Sequence, residues 1–220
     1  MAIALFFVSY LLVALACLRQ WGAPDPWWGL DFFSGGFFAA SPLWLVENAI
    51  FLRGISRTKE IRDEAGGATY DRSLLVWTGL LPLAELIVFY EYGHWRLAPA
   101  LRTPYLQGLG LALWVATPAW LLWADRYLGR HFATAEAQRQ VLTGGPFAHV
   151  RHPRYLGLLA SRVAFALVFA SPMAWLLVGA WIAAVARRIR REERHLGEIY
   201  GTSYEAYAAA TPRLLPWFRR

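Results

Sequence analysis

Two histidines and two arginines crowd around one proline in Gly144-Gly145-Pro146-Phe147-Ala148-His149-Val150-Arg151-His152-Pro153-Arg154-Tyr155-Leu156-Gly157, the densest cluster of chemically capable side chains in the chain. Imidazole and guanidinium groups bind anions, and the rings of Phe147 and Tyr155 offer faces to a cation. Pro153 lacks an N–H and disfavours helix at His152, which predicts an extended His152 and a helix opening at about Arg154. A long apolar run follows at once, so the cluster reads as a polar elbow at the mouth of a membrane helix.

A second group lies downstream in Arg187-Arg188-Ile189-Arg190-Arg191-Glu192-Glu193-Arg194-His195-Leu196. In a helix, Arg188 and Glu192 are four apart and share one face. Alone, such a run is an ion-paired, solvated helix end. A second polar group at the same level, around His152, argues for more. Other chemistries find little support. His149 and His152 are split from regular helical spacing by Pro153 and have no nearby carboxylate or cysteine, so no metal site is expected. Cys17, the only cysteine, lies within an apolar stretch, and no serine stands in a nucleophile turn.

The elements that must position these groups are apolar. Of 220 residues, 57% are hydrophobic and only 17% charged, and the apolar excess arrives in blocks near bilayer length. Six segments can be drawn: Ile3 to Leu18, Phe32 to Leu52, Leu74 to Tyr92, Tyr105 to Ala124, Tyr155 to Ala170 and Met173 to Ala186. The last two are short and separated by Ser171-Pro172, which suits a tilted helical hairpin. Backbone groups in lipid must bond internally and no alternating pattern suggests a barrel, so the expected fold is all-α, a polytopic helical membrane protein. It divides into N-terminal transmembrane helices (1–124) and a C-terminal region (125–220) that carries the chemistry. The first segment lacks a basic residue ahead of it and reads as an uncleaved helix rather than a signal peptide.

The formal charge of +7 is nearly all arginine, with Lys59 the one lysine. Basic residues cluster after the second, fourth and sixth segments, at Arg53 to Arg72, Arg126 to Arg154 and Arg187 to Arg194. The other connections carry Arg19, Arg96 and Arg102. Positive-inside topology accounts for this better than nucleic-acid binding and places both termini, the elbow and the basic run in the cytoplasm. Trp21, Trp27, Trp28, Trp95 and Trp217 fall near segment ends, as an interfacial aromatic belt would. Glu47, Glu85 and Arg162 lie inside apolar segments and are functional candidates by position. Arg162 could pair with a carboxylate or hold an anionic lipid head. Tyr204 and Tyr207 belong to a short amphipathic stretch suited to the interface or to capping a pocket.

In order along the chain come Leu128-Gly129-Arg130-His131-Phe132, Val141-Leu142-Thr143-Gly144-Gly145-Pro146-Phe147, Arg151-His152-Pro153-Arg154-Tyr155-Leu156-Gly157, Arg188 with Glu192-Glu193, Gly201 with Tyr204 and Tyr207, and Pro212 to Pro216. With that order and spacing, Leu128 to Trp217 resembles the isoprenylcysteine carboxyl methyltransferase family, within the wider group that includes phospholipid N-methyltransferases. The resemblance implies a helical membrane enzyme that binds S-adenosylmethionine at its cytosolic face and methylates an amphipathic, lipid-like acceptor drawn from the bilayer. It implies that Val141, Leu142, Phe147, His152, Tyr155 and Glu192 surround the cofactor and that Arg188 holds the acceptor. No Gly-rich nucleotide fingerprint points to a soluble Rossmann enzyme.

Physical chemistry agrees with those roles. Glu192 can accept from the cofactor's ammonium, and His152 or nearby backbone N–H groups can meet its carboxylate or ribose. A carboxylate acceptor is already ionised near neutral pH and needs no general base, only positioning, for which Arg188 offers paired hydrogen bonds. Phe147 stands where the family has tyrosine, so one hydroxyl contact is lost, and the linker between Phe132 and Val141 is compact, so the family's glutamine contact, for which Gln138 is the candidate, has no fixed place here. An NADPH-dependent sterol-reductase-like enzyme shares Arg-His-Pro-x-Tyr-x-Gly, but that family continues with Glu where this chain has Leu158. A scaffold or small transporter would leave the ordered motifs without a role.

Overall fold

The structure, a computed structural model, describes residues 32–63, 84–92, 99–131 and 140–215. The expected first segment, most of the third, Gln138 and the belt tryptophans Trp21, Trp27, Trp28, Trp95 and Trp217 lie outside the described residues. Within them the fold is all-helical, with six α-helices and no strand. These are α1 (Phe32–Asp63), α2 (84–90, closed by a π turn at 91–92), α3 (Pro104–His131), α4 (Pro153–Phe169), α5 (Pro172–Tyr200) and α6 (Thr202–Ala210). Two of them, α3 and α5, are long and apolar enough to cross a membrane.

Three helices outrun the apolar segments that announce them. The second segment was expected to end at Leu52, but α1 continues to Asp63. The fourth continues from Ala124 to His131, and the sixth from Ala186 to Tyr200. Hydropathy marks where a helix leaves lipid, whereas Arg, Glu and Ala carry it onward because they favour helix. The break between the last two segments falls where expected. Ala170 turns left-handed (φ 47°), and Ser171 caps α5 by accepting from Ala174 N at 3.1 Å, with Pro172 as first helical residue. The start of α4 then faces the charged end of α5, so the two form an antiparallel hairpin. At 17 residues, α4 is about 25 Å long, shorter than a perpendicular span.

α3 and α4 approach closely through small residues. A Cβ at Gly110 would lie 2.8 Å from the Val168 nitrogen and 2.9 Å from the Ala164 carbonyl, so only glycine admits this backbone contact. Around it, Phe37, Trp44, Phe89, Trp114, Phe165 and Phe169 form an aromatic core, with Phe37 and Trp44 stacked on Trp114 at 4.2 and 4.6 Å. Pro118 inside α3 cannot donate to the Trp114 carbonyl. That carbonyl instead accepts from Trp44 Nε1 of α1 at 3.1 Å and Thr117 Oγ1 at 3.3 Å, so the missing helical bond becomes an interhelical tie.

Glu47, Glu85 and Arg162 within the apolar segments are paired across helices, while the buried Glu91 accepts from Ser171. Arg162 of α4 binds Glu85 of α2. Arg154, at the elbow end of α4, binds Glu47 of α1 at 3.4 Å and Asp125 of α3. At the opposite end, Gln107 donates to the Val168 carbonyl (2.8 Å) and the Tyr92 hydroxyl (3.1 Å). Arg102 lies 3.9 Å over the Tyr92 ring.

Candidate functional site

The elbow is assembled on the α3–α4 pair. Trp120 of α3 donates from Nε1 to the Pro153 carbonyl at 2.7 Å, which anchors the first turn of α4. His152 is the non-helical residue before α4 (φ −125°, ψ 64°), and Pro153 is the first helical one, as the proline requires. Ahead of it, Gly145–Ala148 make a 3-10 turn that wraps Tyr127 of α3. Gly145 has φ +58°, and a Cβ on Gly144 or Gly145 would lie 2.3 or 2.6 Å from Tyr127. The Gly-Gly pair is thus a seat for a ring that sequence reasoning did not single out. Val141 and Leu142 lead into this turn, half-buried, after His131 Nε2 meets the Gln140 carbonyl at 3.1 Å.

The C-terminal tail completes the elbow. Arg151 N–H donates to the Pro212 carbonyl (2.8 Å) and His152 N–H to the Arg213 carbonyl (3.1 Å). Tyr207 of α6 donates from its hydroxyl to the Phe147 carbonyl at 2.7 Å. Burial and then the neighbouring Tyr204 push the Tyr207 hydroxyl up beyond the ordinary phenol range, so it stays a proton donor. Glu193 gathers the rest, accepting from Arg151 (2.7 Å), His152 Nε2 (3.3 Å) and Arg213 (2.7 Å from Nη2). The two backbone N–H groups nearest His152 are therefore taken by the tail, and His152, 5% exposed, has one ring nitrogen committed to Glu193.

Across the hairpin, Tyr155, Arg188 and Glu192 come together. The Tyr155 hydroxyl donates to Glu192 Oε2 at 2.9 Å and accepts from Arg188 Nε. Arg188 and Glu192 lie on one face of α5, as their spacing requires, and Tyr155 links them. Glu192 is exposed while Tyr155 and Arg188 are half-buried, so the carboxylate stands at the rim and the guanidinium deeper. Below them, Trp181, Val185 and Ile189 form an apolar floor with Leu158, Leu159 and Leu214. The His152 and Tyr155 rings are 5.7 Å apart, which joins this trio to the elbow.

Of the expected site residues, His152, Tyr155, Arg188 and Glu192 share one neighbourhood, whereas Val141, Leu142 and Phe147 lie on the turn that leads to it, with the Phe147 carbonyl bound by Tyr207 of α6. Arg162 is not part of it. It lies seven residues beyond Tyr155 along α4, a rise of about 10 Å, paired with Glu85 beside Phe165, Ala174, Leu177 and Val178. Tyr127 and Trp120 are structural partners that sequence reasoning did not single out, and Glu193 and the tail from Pro212 were named there as motif components without a contact. The Glu-Glu pair was the available signal for Glu193, because adjacent helical residues point to different sides. Among the described residues, no group of three metal-ligating side chains occurs.

The site divides by chemistry into an exposed carboxylate, a half-buried guanidinium, two aromatic faces and an apolar floor. Residues 104–203, from the start of α3 into α6, match the model of the phospholipid methyltransferase family. That family lies within the wider isoprenylcysteine and phospholipid methyltransferase group, and the matched span contains the elbow, Arg188 and both glutamates. No curated protein and no solved structure matches the chain.

Proposed function

We propose that the chain is a membrane-embedded, S-adenosylmethionine-dependent methyltransferase acting on a lipid-borne acceptor, with both termini and the elbow on the cytoplasmic side. The observation that carries this reading is the trio in which Tyr155 links Arg188 to Glu192, at the end of a span-length helix and beside the Arg-His-Pro elbow. The donor set fits the cofactor. Glu192 is an exposed carboxylate for an ammonium, Tyr155 and Phe147 supply aromatic faces for a sulfonium or adenine, and Val141 and Leu142 supply apolar cover. When bound, the cofactor supplies an electrophilic methyl group, whose carbon–sulfur bond breaks as the bond to the acceptor forms.

The chain's own residues do the rest. Arg188 holds an anionic group of the acceptor. Tyr155 fixes Arg188 relative to Glu192, so that acceptor and donor are aligned without a covalent intermediate. The floor of Trp181, Val185 and Ile189 excludes water and receives apolar chain. For a carboxylate acceptor of the isoprenylcysteine type, Arg188 binds the reacting group itself and no proton has to move. The family match favours a second reading, a phospholipid amine, in which Arg188 binds the phosphodiester and the ammonium gives its proton to solvent water before it enters the site and attacks.

Incubating the reconstituted protein with methyl-labelled S-adenosylmethionine and membrane lipid extract tests both. Label released as methanol by mild base identifies a methyl ester and the first reading. Label carried by phospholipid that base does not release as methanol identifies the second, and the absence of any lipid-soluble label before base would overturn the proposed activity.

A further inference from the structure

We propose that Arg187, Arg190, Arg191 and Arg194 form a binding surface for anionic phospholipid headgroups in the leaflet beside the elbow. The outer face of α5 is one continuous exposed stripe. Leu176, Gly179, Ala180 and Ala183 occupy its first half, and Arg187, Arg190, Arg191 and Arg194 continue it at the same three-to-four spacing. The changeover from apolar to cationic is abrupt and has no return.

Helix geometry sets its depth. Arg187 lies about 22 Å and Arg194 about 33 Å along the axis from Pro172. A hydrocarbon core is roughly 30 Å thick, so the four guanidinium groups straddle the boundary between acyl chains and headgroups, where long side chains reach up to phosphate. Two carboxylates of the same run are turned elsewhere, and the exposed Glu198, one turn beyond Arg194, meets His195 at 3.7 Å. Glu192 accepts from Tyr155, and Glu193 is held by Arg151, His152 and Arg213. Glu192 and Glu193 serve the inner site, so four guanidinium groups stand against the one exposed carboxylate of Glu198 and the stripe is net positive. Guanidinium groups match phosphate oxygens in pairs, and four of them within two turns select a lipid of net negative charge over a zwitterionic one.

This inference rests on the membrane placement proposed above but not on the reaction. The full chain, reconstituted in phosphatidylcholine vesicles, is probed with spin-labelled phosphatidylglycerol and spin-labelled phosphatidylcholine. The fraction of each lipid immobilised on the protein is read by electron paramagnetic resonance. Phosphatidylglycerol is expected to be favoured on the order of tenfold in low salt, falling towards parity in about 1 M salt. The R187Q/R190Q/R191Q/R194Q variant should lose the preference, and the corresponding four-lysine variant should keep most of it. If the glutamine variant does not fold, the salt titration of the wild type and the lysine variant carry the test.

Equal association of the two lipids with the wild type overturns the proposal. So does a preference that survives the four glutamines, or one that is abolished by R126Q/R130Q at the end of α3 instead. A protein released from vesicles by alkaline carbonate overturns the membrane placement too, which separates that failure from the others.

Discussion

Replacing Gly157 with alanine tests whether the elbow is positioned by the α3–α4 contact. Gly157 lies one turn into α4, and a Cβ there would sit 2.6 Å from Leu121 Cδ2 and 2.9 Å from Trp120 Cδ1. Both atoms would have to retreat by more than half an ångström. Trp120 is the side chain whose Nε1 holds the Pro153 carbonyl at 2.7 Å. Overpacking of this kind costs about 1–3 kcal/mol, and loss of the tryptophan hydrogen bond about 1 kcal/mol more. Against this, alanine gains about 1 kcal/mol over glycine in a helix. The net expectation is a destabilisation of about 2 kcal/mol, which at this chain length lowers the unfolding midpoint by roughly 4–8 °C. The displaced first turn of α4 carries Tyr155, so affinity for S-adenosylhomocysteine should fall as well. Thermal unfolding and calorimetric titration of the detergent-purified variant read the two effects. A variant that is more stable than wild type, with unchanged affinity, would show that helix propensity dominates and that the contact positions nothing.

Tyr155→Phe removes the hydroxyl that links Arg188 to Glu192 and is expected to weaken S-adenosylhomocysteine binding about tenfold or more while leaving the fold intact, as titration calorimetry would reveal. Arg162→Gln strands the Glu85 carboxylate inside the helix bundle and should destabilise by about 3–5 kcal/mol. Adding Glu85→Gln should recover most of that loss in thermal unfolding, whereas additive losses would show that the two residues do not act as a pair. Tyr207→Phe frees the Phe147 carbonyl from α6. It should cost about 1 kcal/mol and increase proteolytic cleavage near the C-terminus, with the α3–α5 helices still protected.

Much of the helical order is written in local chemistry. Pro153 fixes where α4 begins and what His152 does just before it, and Ser171-Pro172 fixes the hairpin turn, because both effects act within a few bonds. Hydropathy located α3, α4 and α5 but not their ends, since the arginine-rich stretch after Ala186 leaves the apolar regime without leaving the helix. Arg188 and Glu192 were readable as a pair from their spacing alone. That Tyr155 joins them depends on the antiparallel return of α5, which only the packed hairpin reveals. Glu193 shows the limit most clearly. One residue from Glu192 in sequence, it faces the opposite partners, and those partners include Arg213 from a tail twenty residues further on. The seat for Tyr127 in Gly144-Gly145 is a contact between distant segments, so the glycines could be read as a turn but not as a ring-binding surface. Arg162 could be flagged as an ionisable group at membrane depth, but its choice of Glu85 depends on how α2 packs against α4.

The central claim is that Glu192 and its neighbours hold S-adenosylmethionine, and titration calorimetry with S-adenosylhomocysteine tests it most directly. Wild-type protein in detergent should bind it saturably, Glu192→Gln should lose that binding while keeping its unfolding midpoint, and neither should bind NADPH. Saturable NADPH binding with no heat from S-adenosylhomocysteine would contradict the account and make the chain a reductase.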